Sequence, residues 1–586
     1  MAYDALTTTG INNLVSSYVA TEQNKRINPL TTRKTFYQNI TSAYSVLSSK
    51  LDSLKNILTD LKSTTTDSVY YSKTAASSNT NFLSVSSSSG SNDGSYTVRI
   101  NQLAKNDLVL SHDLLSNDAS TLITEPGTHE FEIKSGDGEG GELISKVSLT
   151  LSSSDFTDGV IKNSTLMQKI QLAINSDKAV VNSSSITDST ASSGSFVVDL
   201  NGTETTINYS AGTYSDVIDS IIAQLNDISG LSAEKVIDGE SYQLRVTVND
   251  SASYISFGTD SGTLLSELGI SSTKEKAASG VVTASLFSPV SGRSQLSLTS
   301  KNSGYDYRIT SLSETGSNKA LDSVGLNLGS SRVSFSQNEG LDTAGFLFTT
   351  EQLNAKIEFN GINIERSSNT ISDLIEGSTF TLKSIMQATD TTVNVAVNKD
   401  VNVIKTKVQE FITKFNDIYS YIKSNLKSNG TTKALFTGDT TATSILSILN
   451  SIVYSSVSGI PSNQINSLSK LGITFNVNTG LTLTENSTFE NAVENHLSEV
   501  VALFNSTNGI ATNLYDRFDS YLGTSGYIAK SKTTYDTTVK SLSDSITSAQ
   551  NRLDKNAESL RQRYINMQMQ LAELLNYQNY FSSSSY

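Results

Sequence analysis

The chain has 586 residues, and at about 150 residues per domain that length predicts several domains. Hydrophobic residues make up 37% and charged residues 17%, against about 45–50% and about 25% in ordinary soluble domains; Ser, Thr and Asn fill the gap, and the 4 Pro exclude a Pro-rich disordered chain. With 43 Lys+Arg against 57 Asp+Glu the net charge is −14, which argues against nucleic acid and an anionic membrane surface as partners, because both need clustered cations.

The N-terminus, MAYDALTTTGINNLVSSYVA, has neither a basic leading region nor a continuous apolar run, so no cleavable secretory signal is expected. No stretch approaches about 18 uninterrupted apolar residues, so no membrane insertion is expected. The first strict heptad follows: Tyr37, Ile40, Tyr44, Leu47, Leu51, Leu54, Leu58 and Leu61, spaced alternately 3 and 4, the a/d seam of a coiled coil. Asn28-Pro29 reads as N-cap and first helical residue, predicting a helix over 28–62.

The middle of the chain alternates with period two, as in Tyr96-Thr-Val98-Arg-Ile100, Phe131-Glu-Ile133 and Val393-Asn-Val395-Ala-Val397, the pattern of half-buried strands. Asn360-Gly361 and Asn201-Gly202 each sit between two such runs, the preferred two-residue type I′ hairpin turn. A weak repeat links Leu244-Arg-Val246, Tyr254-Ile-Ser-Phe257 and Leu268-Gly-Ile270 to Leu296-Ser-Leu298, Tyr305 to Ile309 and Val324-Gly-Leu326. Small-residue junctions at 190–195 and 276–280 flank its first copy. One β-rich domain inserted into another, itself inserted into a helical stalk, accounts for this order.

The second heptad, Val401, Ile404, Val408, Phe411, Phe415, Ile418 and Ile422, follows Asp400, a plausible cap. Between 431 and 527 the pattern is mixed: a helical face at Ile445, Leu449, Ile452 and Val453, a hairpin at Ile473–Phe475 and Leu481–Leu483, and a helical stripe at Phe489, Val493, Leu497, Val500 and Phe504. The third stripe is the longest. Val539, Ile546, Leu553, Leu560, Met567, Leu574 and Phe581 recur every 7 residues. Their partners begin at Leu542 and Ala549 and then slide to Ala557, Tyr564 and Leu571, a drift that follows from 3.6 residues per turn. One apolar stripe gains little alone, so the three helices are expected to pack together, although three unrelated core helices would give the same pattern.

Chemistry finds few candidates. Cys is absent, which excludes disulfides, thiolate metal sites and Cys nucleophiles. His112, His129 and His496 lie far apart and read as surface or packed residues. Asp137, Glu139 and Glu142 form a solvated hairpin loop or a weak cation site without EF-hand spacing. No nucleophile elbow, phosphate loop, dinucleotide fingerprint or zinc-protease motif is present, and without Trp a glycosidase cleft is disfavoured. Arg552, Lys555, Arg561 and Arg563 form a basic stretch that serves as a solvated face or in inter-subunit ion pairs. No catalytic, metal-binding or cofactor-binding residue is expected.

Several motifs in order resemble the bacterial flagellar filament cap family (flagellar hook-associated protein 2, the FliD family). They are Ser42-Ala43-Tyr44 before the Leu seam, YTVRINQLAKNDLVLS at 96–111 with Gln102-Leu103-Ala104, and AKIEFNGINIERSSNTISDLIEGSTFTLKS at 355–384. Phe415-Asn416, Gly438-Asp439, SLSKLGI through Ile473, VVALF through Phe504 and the C-terminal helix from Gly526 through Tyr580-Phe581 extend the resemblance. The family's Gly- and Ser-rich start is missing, Gly10 to Leu14 being nearest, and 110–350 matches in style more than in residues.

The resemblance implies an α+β multidomain fold: a helical coiled-coil stalk built from both termini, with nested β-rich head domains. The boundaries expected are a flexible 1–27; a leg of 28–65 plus 399–578 with a mixed part at 431–527; a head of 66–190 plus 290–398; an inserted outer head of 191–289; and a flexible tail of 579–586. It also implies an extracellular, non-enzymatic cap at the flagellum tip, exported by the flagellar type III apparatus with an export chaperone. There a homo-oligomeric ring at the filament's distal end promotes flagellin folding and polymerisation and prevents flagellin loss. Ile11, Leu14, Val15, Tyr18 and Val19 are the candidate filament-contacting terminus, expected as a short helix that orders only on assembly. The alternatives are another axial flagellar part, or an extracellular adhesin or tail-fibre-like glycan-binding protein, with an enzyme the weakest.

Overall fold

The computed structural model describes residues 7–187, 189–338, 342–428, 430 and 433–583; parts of the expected terminal segments, residues 1–6 and 584–586, lie outside them. The chain divides into two compact units, one of Met1–Thr74, Ser88–Gly90 and Asn398–Tyr586, the other of Ala75–Ser87 and Ser91–Val397. Long helices dominate the first and strands the second.

The first helix, α1, spans Thr8–Glu22, and the Thr7 hydroxyl accepts from the Gly10 N–H at 3.1 Å. The backbone does not restart at Asn28. A π turn, Gln23–Ile27, leads straight into α2, Asn28–Lys62, and Asn28 is itself helical (φ −56°, ψ −40°) rather than a cap. Pro29 gives the reason. It has no N–H, and its ring collides with the carbonyl four residues back in an α ladder, so the wider turn relieves the clash without ending the helix. At the far end the fully buried Tyr70 donates its hydroxyl to the Leu61 carbonyl at 2.8 Å, satisfying one of the helix's orphan acceptors.

In the second unit β1 (Gly94–Gln102), β2 (Gly127–Gly136) and β3 (Glu142–Leu151) precede helix α3 (Asn163–Ser176). Then come β4 (Gly194–Leu200), β5 (Thr203–Tyr209), α4 (Tyr214–Asn226), β6 (Tyr254–Gly258), β7 (Lys274–Lys276) and β8 (Ile309–Glu314), followed by β9 (Ala355–Phe359), β10 (Ile362–Arg366) and β11 (Val393–Lys399). One sheet has the order β5-β4-β6-β7-β3-β2-β8, and another contains the run β11-β1-β9-β10. The alternating residues point into three separate cores. The first holds Val98, Ile100, Ile357 and Val395. The second holds Phe131, Ile133, Leu166 and Leu296. The third, confined to residues 179–270, holds Phe196, Val198, Ile221 and Leu244.

Both Asn-Gly pairs adopt the turn their sequence predicts: Asn201 and Gly202 have φ of 53° and 86°, Asn360 and Gly361 of 49° and 83°. The repeated small step in the sequence is also local geometry. Gly269 and Gly325 are left-handed, at φ 63° and 76°. The next amide returns to a carbonyl five residues back, Ile270 to Leu265 at 2.9 Å and Leu326 to Leu321 at 2.8 Å, the Schellman closure of a short helical turn. Gly472 repeats it in the other unit, with Ile473 bonded to Leu468 at 3.0 Å.

The chain returns to the helical unit at α5 (Val401–Leu426), capped by Asp400, whose carboxylate accepts from Asn402 and Val403 N–H at 3.0 and 3.1 Å. Helix α6 (Thr440–Tyr454) and the hairpin β12 (Ile473–Asn476) and β13 (Gly480–Leu483) follow. The stripe from Phe489 to Phe504 is two helices rather than one, α7 (Asn486–Asn495) and α8 (Leu497–Asn505), broken at His496 with φ −130° and ψ 33°. After α9 (Ile510–Asp519), α10 runs unbroken over Tyr527–Ser583, about 85 Å at 1.5 Å per residue.

Candidate functional site

The features that repay attention are a seam of helices and its free end. Helix α2 packs against α5, α9 and α10, and one core gathers their apolar stripes. Ile40, Tyr44, Leu47, Leu51, Leu54, Leu58 and Leu61 of α2 are buried in it, with Tyr37 partly buried at its edge. So are Ile404, Val408, Phe411, Phe415, Ile418 and Ile422 of α5, with Val401 at the margin. Burying each such side chain stabilises by about 1.5–3 kcal/mol, which makes this seam the principal source of cohesion in the helical unit.

Aromatic contacts fix the register. Tyr535 of α10 stacks on Tyr37 and Tyr44 with ring centroids 5.9 and 6.1 Å apart, and its hydroxyl donates to Asp439 at 3.1 Å. Burial and the Asp439 carboxylate push the Tyr535 phenol up to about 12, so it stays a neutral donor. Thr41 bonds Asp536, and Ser45 accepts from Lys532 at 2.8 Å, so α2 and α10 run antiparallel. Farther along, Ile27 packs with Ala549 and Leu553 while Tyr18, Val19 and Ile546 border them.

Burial then falls away along α10. Leu542, Ala549 and Leu553 are buried; Val539, Ile546, Leu560 and Leu571 are half-buried; Met567 is exposed, and Leu574 and Phe581 are 64% and 67% exposed. Tyr577 and Tyr580 are exposed beside them. The antiparallel register brings Thr8, the first residue of α1, opposite about residue 570, so the last turns of α10 project past it.

The five residues expected at a filament-contacting terminus are divided by the structure. Ile11 and Val15 are 3% and 5% exposed, Tyr18 and Val19 half-buried, and Leu14 is 40% exposed. Helix α1 packs on α10 within one chain, whereas the expectation was a segment ordered only by assembly. The difference has a simple source: the apolar stripe of α10 reaches past Ile546, so it serves α1 as well as α2.

The remaining candidates are accounted for by packing. Asp137 accepts from the Glu139 and Gly141 amides at 2.9 and 2.8 Å and pairs with Lys274 at 2.7 Å, while Glu142 bonds Thr310. Against burial, which raises it, the Lys274 bond and these amides hold the Asp137 carboxyl below its usual value. His112 hydrogen-bonds the Asp342 carbonyl, and His496 meets Glu499 at 3.2 Å. His129 is half-buried, which lowers its basicity. Arg561 lies 3.9 Å from Glu558, and Arg552 borders a small hollow with Glu22, Arg26 and Asn556. Among the described residues, no group of three or more His, Asp or Glu could hold a metal ion, and no helix is long and apolar enough to cross a membrane. Sequence reasoning missed the pair of the fully buried Asp107 and the partly buried Arg332, in contact at 2.6 Å, because 225 residues separate them.

Residues 7–107 match the family model described as flagellar hook-associated protein 2 N-terminus, and residues 353–576 the one described as its C-terminus. The A-type flagellar hook-associated protein 2 of Pseudomonas aeruginosa is 21% identical over 60% of this chain and 74% of its own length. The Salmonella typhimurium protein is 26% identical, over 39% of this chain and half of its own length. The Thermotoga maritima protein is 25% identical over 93% of this chain and 89% of its own. A crystal structure of the flagellar cap protein FliD D1-D2-D3 domains from Escherichia coli aligns with a TM-score of 0.44 at 18% identity, covering 84% of this chain and 99% of that one.

Proposed function

Because the chain belongs to the flagellar hook-associated protein 2 family, we propose that it is the structural cap at the distal tip of a bacterial flagellar filament. In this reading it assembles as a homo-oligomeric ring, receives exported flagellin, favours its folding and polymerisation, and prevents its loss to the medium. The family is one of structural cap proteins, and we assign the chain no catalytic step. Export through the flagellar type III apparatus with a chaperone, and a position outside the cell, belong to the same proposal. So do the domain assignment, with a leg made from both ends and β-rich heads from the middle, and the use of the stripe residues of α2, α5 and α10 as leg packing.

The observation that carries the reading is the end of α10. Met567 and Leu574 continue a period that is buried at Leu553 and half-buried at Val539, Ile546 and Leu560, yet they stand exposed in a single chain. A stripe of that kind favours association with another helix, and in an assembly of identical chains the neighbouring leg or the filament supplies it.

A deletion strain tests the proposal, read by filament length in the microscope and by flagellin in spent medium. Short or missing filaments with monomeric flagellin in the medium, restored by this gene, are expected. Filaments of normal length without leakage would remove the cap role.

A further inference from the structure

The second unit carries one order of elements twice. One core has the hairpin β2–β3, helix α3, the strands Val282–Phe287 and Arg293–Ser303, β8 and the left-handed Gly325. The inserted core has the hairpin β4–β5, helix α4, the strands Leu231–Asp238 and Ser241–Val248, β6 and the left-handed Gly269. In both, the last strand returns to pair with the first strand of the hairpin, β8 with β2 and β6 with β4. Ile170 and Ile174 of α3 are fully buried, as are Ile221 and Leu225 of α4. Matching them sets Asn175 against Asn226 and Ala173 against Gln224.

The strands β5, Leu231–Asp238 and Val282–Phe287 each end a sheet. Such an edge presents unpaired N–H and C=O groups that another chain can pair with. One carboxamide meets each edge. Asn226 Oδ1 accepts from the Ala233 N–H at 2.7 Å and its Nδ2 donates to the Ala233 carbonyl at 3.1 Å. Asn175 does the same to Ala284, at 2.9 and 2.8 Å, and Gln224 to Asn208, at 3.1 and 2.8 Å. A carboxamide bonded twice to one residue copies the pair of bonds that a neighbouring strand would make. Leu200 and Thr203 flank a two-residue turn and so form a bonded pair, which leaves Glu204, Thr206 and Asn208 facing outward on β5. Gln224 therefore shortens the open edge to Glu204 and Thr206. On Leu231–Asp238 a second device adds to the first: Lys235 turns its charge toward α4, 2.6 Å from Asp219, and a charge on an edge strand discourages pairing.

The duplicate core shows what such an edge takes when no carboxamide closes it. Ala173 stands where α4 has Gln224, and the outer edge of β3, the counterpart of β5, carries β7 in parallel at Leu143 and Ile144. We propose that Asn175, Gln224 and Asn226 are edge guards, which keep these sheets from pairing strand to strand with a second copy of this chain. Every copy brings the same edges, and an antiparallel pairing of β5 with β5 is a self-complementary, two-fold contact. The guards hold that contact shut wherever many copies gather.

The test uses the full-length chain with Gln224→Ala and Asn226→Ala together. Hydrogen exchange is read on peptides covering Thr203–Tyr209 and Leu231–Asp238 at two concentrations about a hundredfold apart, a span over which mass action brings a dimer from minor to major species. The unsubstituted chain is expected to exchange alike at both. The double variant is expected to exchange faster when dilute and to regain protection when concentrated, with a larger species in sedimentation. Thr206→Pro and Ile237→Pro, added to it, remove outward N–H groups that the hairpin ladders do not use, and are expected to abolish the concentration dependence. Association through the helical unit is common to all these chains and leaves the two peptides alike. A double variant that exchanges faster equally at both concentrations, an unsubstituted chain whose edges already respond to concentration, or a response that survives both prolines would each overturn the guards. Should the double variant fail to fold, Asn175→Ala, read on Val282–Phe287 of the other core, decides in the same way.

Discussion

Replacing Arg332 by Met should unlock the core around Phe131 more than its position in an irregular segment suggests. Asp107 is fully buried, and Arg332 grips it with two bonds, Nη2 to Oδ1 at 2.6 Å and Nη1 to Oδ2 at 3.0 Å. The same guanidinium donates to the Phe348 carbonyl at 2.9 Å and lies 4.2 Å from the Phe346 ring centroid. Asp107 receives two further bonds, from the Leu108 and Ile309 amides, both at 3.0 Å. Removing one partner of a buried pair costs about 3–5 kcal/mol, because the other charge stays buried; the partial exposure of Arg332 and the two amides that remain place Arg332→Met at about 3 kcal/mol. At 1.36 kcal/mol per decade that is about a 150-fold loss of protection. Hydrogen exchange read on peptides covering Asn106–Leu110 and Arg293–Ser303 measures it locally, which suits a chain of several cores better than one global melt. Adding Asp107→Asn to Arg332→Met removes the stranded charge and should recover much of the loss. Exchange within about threefold of the unsubstituted chain for Arg332→Met, or a further loss on adding Asp107→Asn, would refute the reasoning.

Other outcomes follow from the same geometry. Leu54→Ala empties a fully buried site in the helical seam and should cost about 2.7–5 kcal/mol in urea unfolding, whereas Leu574→Ala on the bare end of α10 should stay within about 0.5 kcal/mol in the isolated chain. Gly361→Ala forces a Cβ onto a residue at φ 83° with nothing within 4 Å of it, so backbone strain alone, about 1–2 kcal/mol, should appear as faster exchange in the β9–β10 hairpin. The Asp155 carboxyl is held below its ordinary value by Lys169, at 2.7 Å, and by the Ser152 amide. Its contribution is therefore present above about pH 3.8 and lost as pH falls through the lowered value, and Asp155→Asn should flatten that part of an acid titration of local exchange.

What the sequence disclosed and what it hid divide along the range of the interactions. Heptads, Asn-Gly turns and the Asp400 cap are local, and the structure puts Leu47 to Leu61, Asn360 and Asp400 where their spacing and chemistry ask. Asn28 misled because Pro29 suits a first helical turn as well as a π turn inside a longer helix; the tie is broken by Ile11 and Val15, whose partner stripe lies more than 500 residues away. His496 broke a stripe whose period never faltered. Asp107 and Arg332 carry no local signature at all, because 225 residues separate them.

The long helix states the functional argument in its own periodicity. A seven-residue repeat is kept from Val539 to Phe581 although burial within one chain ends near Leu571. Ser or Lys at Leu574 would suit an isolated helix end better, since a large apolar side chain left in water forgoes about 1.5–3 kcal/mol of burial. Up to Leu553 the repeat is explained by α1 and α2. Beyond the reach of α1, Leu574 keeps the same repeat in water, which suits a partner of the same kind, an amphipathic helix lying alongside. A ring of identical legs offers such helices at every position, so the bare end of α10 ties the proposed assembly to residues of this chain rather than to family likeness alone.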